Sequence, residues 1–494
     1  MNGMLVNFNM LFTSLTFLAV FLPIVLTASW ILLHSREPRR PRIALSNAIL
    51  LLSSLLFYFW GEGRGILLLC ACIAANFLFA LTIDGARRQG DRKILVVAAI
   101  VIDLAALAVF KYADFATRGV NTVFGTKFHE LGIALPLGIS FFTFQAMSYV
   151  IDVYRRDVRA TRSLVDFGCY ISMFPQLVAG PIVRYSDIER SLRKRHTGLL
   201  QVSSGMRRFL AGLARKVLIA NVAGDFADRA WAFTEKGMGI HPAYAWLALS
   251  AYTLQIYHDF AGYSDMAIGI GRMLGFNFPE NFNLPYTSKS VREFWRRWHI
   301  SLSTWFRDYL YIPLGGSRCS TARACINNLA VFALCGLWHG ASVMFLAWGV
   351  WHGLLIVAER LAPDSPLSRT RAGGLLGYAR TMAAVALGWV LFRSQTPDEA
   401  WLFIRSLAGS ASIAPETRLL AVDAHPLLFA SLAVGALLAS GLPWHLREWA
   451  SRRVGSGRRA AFALAEWCAV SASAAIALLS IAGGSYNPFI YFRF

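Results

Sequence analysis

An all-helical protein that crosses a membrane many times is what this sequence predicts, and three observations carry it. Of the 494 residues, 56% are hydrophobic, against about 45–50% in soluble domains. Only 15% are charged, where about 25% is usual. The apolar residues gather into about eleven runs, many near the ~20 residues that a bilayer crossing needs, separated by short arginine-rich loops. This composition excludes a disordered chain, a disulfide scaffold and an ordinary soluble enzyme.

The first run, Met10 to Leu33, is too long for a signal-peptide core and follows no basic segment, so it reads as a span. Further runs lie at about 43–60, 65–83, 94–110, 131–153, 243–257, 325–338, 341–358, 376–392, 426–443 and 461–482. A broken run at 166–183 holds Pro175, Gly180 and Pro181 and reads as a kinked or re-entrant element, tolerated where protein covers it. Residues 184–222 are too polar to span; amphipathic stretches such as Met206 to Ile219 suit helices at the membrane surface. Residues 258–316 mix charges, aromatics and Pro/Gly breaks, and that is where a pocket is expected. No linker or repeat divides the chain. A single integral membrane domain over 1–494 is expected, with its motif-rich core at about 131–360.

Charge orients these runs. Lys plus Arg number 48 and Asp plus Glu 28, a net +20. The basic residues collect in alternate loops: Arg36, Arg39, Arg40 and Arg42; Arg87, Arg88, Arg92 and Lys93; Arg155, Arg156, Arg159 and Arg162; Arg447, Arg452, Arg453, Arg458 and Arg459. Cytoplasmic loops of membrane proteins accumulate Lys and Arg, so both termini are expected outside. Two outside ends need an even number of crossings; one more crossing hides in the middle, or the run at 243–257 is re-entrant. The same rule explains the basicity without nucleic acid, and most of these loops lack interleaved aromatics.

Chemistry narrows to four of ten histidines. His34, His129, His196, His241, His425 and His445 fall in loops or at run ends. His339, in Leu337-Trp338-His339-Gly340 between two apolar runs, is the sharpest candidate. A titratable side chain within a membrane is costly, and imidazole suits proton transfer near neutral pH. His352 lies in a second Trp-His-Gly. On one straight helix thirteen residues turn by about 220° and rise about 20 Å, so it is expected to be structural or interfacial rather than part of the same site. His299 follows Arg296, Arg297 and Trp298, whose positive charge favours a neutral imidazole. His258-Asp259 lacks further ligands at metal spacing, and no metal is expected. No G-x-S-x-G elbow, dinucleotide fingerprint or Walker A motif occurs. Seven cysteines, an odd number mostly in apolar runs, argue against disulfides. Cys335, one helical turn before His339, reads as a small hydrophobe more than as a nucleophile. Arg292, Arg296, Arg297 and Arg307 could grip phosphates, or follow from positive-inside bias alone. Asp308 could neutralise an arginine or orient a histidine.

The segments REFWRRWHISLSTWFRDYLYIPLGG (292–316) and GLWHGASVMFLAWGVWHG (336–353) resemble the membrane-bound O-acyltransferase family, in its bacterial branch of polysaccharide O-acetylation proteins. MLFTSLTFLAVFLPIVL near the start, FPQLVAGPIVRYSDI (174–188) and the closing YNPFIYFRF agree. The resemblance implies helices around a central tunnel, with His339 and His299 as the two catalytic motif residues. An acyl thioester enters from the cytoplasm and a hydroxyl is acylated from the other side. His339 is then the candidate general base. His299, Trp298 or backbone amides are candidates to stabilise the oxyanion. Trp295, Trp298, Trp305, Trp338 and Trp348 could wall the tunnel, and Arg296, Arg297 and Asp308 complete the expected substrate-binding set. The implied donor is acetyl-CoA, with no bound cofactor. The implied partners are an extracytoplasmic SGNH-type acetyltransferase and polysaccharide biosynthesis and export proteins, in the bacterial inner membrane. A D-alanyl transferase for teichoic acid is the alternative within the family. A transporter without chemistry is the alternative outside it, weakened by the lack of paired broken helices in two halves.

Overall fold

The computed structural model describes residues 12–34, 38–178, 180–362, 370–453 and 456–484. The closing YNPFIYFRF segment, Met10, Arg36 and Ala179 lie outside the described residues. Among the described residues there are helices and loops but no β-strand, with an isolated bridge pairing Gly239 and Ile413.

Among the described residues, six stretches are long and apolar enough to cross a membrane: Arg40–Gly85, Gln89–Phe124, Thr321–His339, Val343–Leu361, Ala372–Arg393 and Ala461–Ala482. The bent pair Pro415–Asp423 and Pro426–Ala439 makes a seventh if it counts as one span. The eleven runs map onto these unevenly. Arg40–Gly85 holds two of them in 46 residues, room for two crossings of about 20 residues each. The runs at 131–153 and 243–257 become helices too short or too polar for this set. Only 11–39% of each spanning window is buried, and residues such as Leu52, Leu67 and Ile94 point outward. Apolar outer faces on long helices are the reverse of a soluble fold and suit lipid. The protein is a multi-pass membrane protein.

The chain forms two compact units, residues 1–210 with 263–279, and residues 211–262 with 280–494. In the first, α2 (Arg40–Glu62), α3 (Ile66–Gly85) and α4 (Gln89–Leu107) pack around α5 (Ile139–Arg155) and α6 (Leu164–Ser172), with α1 (Leu22–Leu33) against α2. α5 is buried along almost its whole length, including Ser140, Thr143, Gln145, Ser148 and Asp152, so it is a core helix and not a lipid-facing one. The broken run at 166–183 becomes most of α6 and a short helix, Phe174–Leu177, parted at Met173, with every residue from Asp166 to Val178 buried. A closed polar network ties this unit together. Asn47 donates to Asp166 (2.6 Å) and to the Leu192 carbonyl (2.9 Å). Arg40 pairs with Asp166 at 2.8 Å. Arg195 donates to Asn47, to Ser46 (3.0 Å) and to the Leu274 carbonyl (3.2 Å), with its guanidinium over Phe276.

The second unit takes in the first part of α7 (Pro242–Met273), then α8 (Val291–Arg297), α9 (Ile300–Phe306), α10 (Thr321–His339), α11 (Val343–Leu361), α12 (Arg371–Arg393), α13 (Pro426–Ala439) and α14 (Ser456–Ala482). α10 and α11 are joined by three residues, and Ser342 caps α11 by accepting the Met344 N–H. They pack as a tight hairpin. A Cβ on Gly336 would lie 2.2 Å from the Phe345 carbonyl oxygen, and one on Gly349 would lie 2.2 Å from that of Phe332. Only glycine at both positions permits this backbone approach.

Candidate active site

Burial divides the histidines as their sequence positions suggest. The six in loops or at run ends are exposed, whereas His258, His299 and His352 are 0% exposed and His339 is 6%. His339 is the last residue of α10. Its ring is boxed edge-on by Trp338, Trp348 and Phe392, with centroids 4.9, 5.1 and 5.2 Å away.

His299 is held from a different direction. The loop from α8 to α9 pairs with residues 281–283: Asn283 N–H donates to the Arg297 carbonyl and Ile300 N–H to that of Asn281, each at 2.9 Å. His299 sits between these two bonds at φ +43°, in the left-handed region, as the N-cap of α9. Non-glycine residues seldom adopt this conformation, and outliers of this kind concentrate at functional sites. The Asn281 side-chain oxygen accepts from Ser301 N–H (3.3 Å), Ser301 Oγ (2.9 Å) and His299 Nδ1 (3.1 Å). A backbone N–H can only donate, so this atom is the amide oxygen, and His299 carries its proton on Nδ1. In the neutral ring Nε2 is then an acceptor. Burial, and secondarily the nearby His339, hold the His299 pKa well below its usual near-neutral value. His299 and His339 flank Trp338, at 6.2 and 4.9 Å.

A cavity of about 310 Å³ lies in the same unit, lined by residues of α8, α9, α10 and α11 but not by His299 or His339 themselves. Arg292, Arg296, Arg307 and Arg360 line it together with Tyr311, Ser303, Ser317 and Asn328. Its apolar wall is Trp295, Leu302, Phe306, Val331, Phe332, Cys335 and Ile356. The first three arginines are exposed, whereas Trp295, Cys335 and Ile356 are buried, so the cavity has a cationic rim and an apolar floor. Cys335 lies four residues before His339 on α10, so the floor ends about one helical turn, near 6 Å, from that histidine. α8 is fixed at its start by Ser290, whose hydroxyl accepts Glu293 N–H, and by Glu359 of α11, which accepts the Val291 and Arg292 N–H groups at 2.6 and 3.0 Å. A carboxylate at a helix N-terminus satisfies its orphan donors, and here it aims Arg292, Trp295 and Arg296 at the cavity.

The remaining expected site residues separate. Trp295 and Arg296 line the cavity; Arg297, Trp298 and Asp308 do not. Arg297 pairs with Glu293 (2.8 Å) and donates to the Asn283 carbonyl. Trp298 is buried in an aromatic stack with Phe282, Phe294 and Trp389. Asp308 accepts from Arg307 at 2.6 and 3.0 Å. Arg360 and Asn328 had no motif to mark them; only the fold of α10 and α11 brings them to the cavity, beside Tyr311 of the 292–316 segment. The straight-helix expectation for His352 is corrected. The chain reverses at residues 340–342, and Trp348 touches both His339 (5.1 Å) and His352 (5.3 Å). His258 donates from Nε2 to the Gly435 carbonyl (2.9 Å) and accepts from Arg215 at Nδ1 (3.3 Å), and Asp259 pairs with Lys216 at 2.8 Å. This dipeptide is engaged in protein contacts.

Comparison with known proteins bears on this arrangement. Residues 155–363 match the model of the membrane-bound O-acyltransferase family. The chain is 42% identical over 399 residues to the "Probable alginate O-acetylase" of Azotobacter vinelandii, covering 79% of this chain and 77% of that protein. It is 31% identical over 431 residues to the "Peptidoglycan O-acetyltransferase" of Helicobacter pylori, covering 81% and 80%. A "Teichoic acid D-alanyltransferase" of Streptococcus thermophilus is 30% identical over 283 residues, covering 52% of this chain and 68% of that protein. The matched region contains both histidines and the whole cavity lining. This chain is an O-acyltransferase and belongs to the membrane-bound O-acyltransferase family, in its polysaccharide O-acetylation branch.

Proposed function

We propose that the protein moves an acetyl group from a cytoplasmic thioester, acetyl-CoA, across the bacterial inner membrane for O-acetylation of an exported or surface polysaccharide. One observation carries this reading: a cavity rimmed by four arginines whose apolar floor ends a helical turn from His339. Guanidinium groups suit the phosphates of such a donor, and an aromatic, water-poor floor protects a thioester from hydrolysis.

In this reading a hydroxyl oxygen attacks the thioester carbonyl carbon. His339 takes the hydroxyl proton as the C–O bond forms. The C–S bond then breaks, and His339 returns the proton to the departing thiolate. His299 differs from the sequence expectation: with its proton on Nδ1, a neutral ring accepts at Nε2 and cannot donate there to an oxyanion. It suits orienting the attacking hydroxyl, leaving the oxyanion to the Trp338 indole N–H or backbone amides. Trp295 and Arg296 contact the donor, Asp308 positions Arg307, and Trp298 and Arg297 support the α8–α9 corner. The whole chain acts as one membrane domain around a tunnel, with both termini periplasmic by the charge of its loops. An extracytoplasmic SGNH-type acetyltransferase, working with polysaccharide biosynthesis and export proteins, completes the ester.

The test is ester-linked acetate on extracted envelope and secreted polysaccharide, compared among wild type, a deletion strain and His339→Ala at matched membrane levels. Acetate is expected to fall in both mutants while polymer yield holds. Retained acetate in the deletion strain would overturn the reading and turn attention to D-alanyl esters. Lost export of unmodified polymer would favour transport.

A further inference from the structure

We propose that His352 is a donor-binding residue, whose imidazole hydrogen-bonds the amide-bearing arm of the acyl thioester between the arginine rim and His339. The inference rests on reading the cavity as the donor site.

His352 is fully buried, and among the described residues neither of its ring nitrogens has a hydrogen-bond partner. The indole nitrogens of Trp295 and Trp348, whose rings pack edge-on against it at 5.2 and 5.3 Å, share this condition. Three adjacent side chains thus bury four unsatisfied nitrogens. Buried polar groups are nearly always paired, and exceptions mark a site with a missing partner. Gly388 of α12 packs close to His352 Nε2: a Cβ there would lie only 2.7 Å away, so glycine at this position spares the imidazole a clash.

Position gives these nitrogens their meaning. Trp348, His352, Ile356 and Arg360 fall at successive fourth positions of α11, one stripe of the helix. At one end Trp348 contacts His339. At the other, Ile356 and Arg360 line the cavity, as does Trp295. His352 is the polar member in the middle of the stripe. A thioester carrier with phosphates at one end, amides along its arm and the acyl group at the tip matches that order of arginine, imidazole and catalytic histidine. A neutral imidazole can donate from one nitrogen and accept at the other, which is what an amide asks for.

The experiment uses the purified full chain in detergent and two tritiated probes, acetyl-CoA and S-acetylpantetheine, which lacks the nucleotide phosphates. His352→Phe fills the volume without hydrogen bonds and is expected to weaken binding of both probes at least tenfold. His352→Gln is expected to stay within threefold of wild type. Arg296→Ala and Arg360→Ala are expected to weaken acetyl-CoA alone. If the arginine variants bind acetyl-CoA normally, the donor-site reading fails. If they weaken it while His352→Phe binds both probes within twofold of wild type, only the His352 assignment fails. His352→Met replaces the phenylalanine variant if that one does not accumulate. If neither apolar variant accumulates while His352→Gln does, the polar requirement belongs to folding and the assignment is overturned.

Discussion

Two buried polar clusters, one in each unit, show opposite solutions to the same problem. In the first unit Asn47, Asp166, Arg40 and Arg195 close on one another and on the Leu192 and Leu274 carbonyls. Asn47 uses both ends of its amide, and Arg195 reaches two side chains and a carbonyl from three of its nitrogens. In the second unit His352, Trp295 and Trp348 sit at equal depth with nitrogens that no described protein group satisfies. Both clusters bear the desolvation cost of burial. One recovers it within the fold and so fixes helices; the other is left to recover it from something that enters. The two clusters teach that polar groups of like chemistry can be closed by the fold in one place and left open in another.

The comparison can be broken at either end. The largest effect is expected at His339. His339→Ala should lower acetyl transfer by about 10²- to 10⁴-fold, the usual scale of general acid–base catalysis, with membrane abundance unchanged on an immunoblot. Loss of the protein along with the activity would mean that this histidine belongs with the structural cluster. Asp166→Ala should do the reverse. Arg40 is half exposed and can turn to solvent, but the buried Asn47 amide would lose its acceptor, a cost of about 1–3 kcal/mol, so abundance and detergent melting temperature should fall while activity per surviving molecule holds.

An intermediate effect is expected at Asn281, which is structural by its bonds and functional by its neighbour. Asn281→Leu removes the acceptor that sets the His299 tautomer and should lower turnover by about 10²-fold, the scale of a misplaced reacting group. Asn281→Asp keeps an acceptor and should recover most of it; equal losses in both would detach His299 from the chemistry.

The smallest effect is in pH. The folded-state pKa of His299 is depressed, by burial first and His339 second. Its contribution to stability is therefore complete above the unfolded value of about 6.5 and is lost as pH falls below it, by about 1.4 kcal/mol per pH unit. The melting temperature in detergent should drop between pH 6.5 and 5.5, and the slope should flatten in His299→Gln.

Much of this was legible in the chain. Apolar runs announced the membrane, and the polar, Pro/Gly-broken stretch 258–316 contains Asn281, His299 and much of the cavity lining, from Arg292 to Tyr311. The exposed and buried histidines were sorted correctly by their flanks. Trp298 and Arg297 were less legible, because an aromatic–basic motif looks alike whether its members wall a cavity or brace a corner. The placement of His352 relative to His339 is not legible for a specific reason: a three-residue reversal between two apolar runs is invisible to periodicity, so two histidines on a hairpin look like two on one rod.

What the sequence determined by itself is whatever depends on local composition and spacing. That includes the class of fold, through the free energy of apolar segments in lipid, and the identity of the family, through long unusual motifs around His299 and His339. The tertiary structure alone decided which side chains share space. The glycine contact of α10 with α11 brings Trp348 between His339 and His352. The Glu359 cap on α8 turns Trp295 and Arg296 toward Arg360. The Asn281 bridge decides which nitrogen of His299 holds its proton. Each is a contact between segments roughly 10 to 70 residues apart, and the directionality of a hydrogen bond or the closeness of two backbones has no counterpart in the periodicity of a single segment.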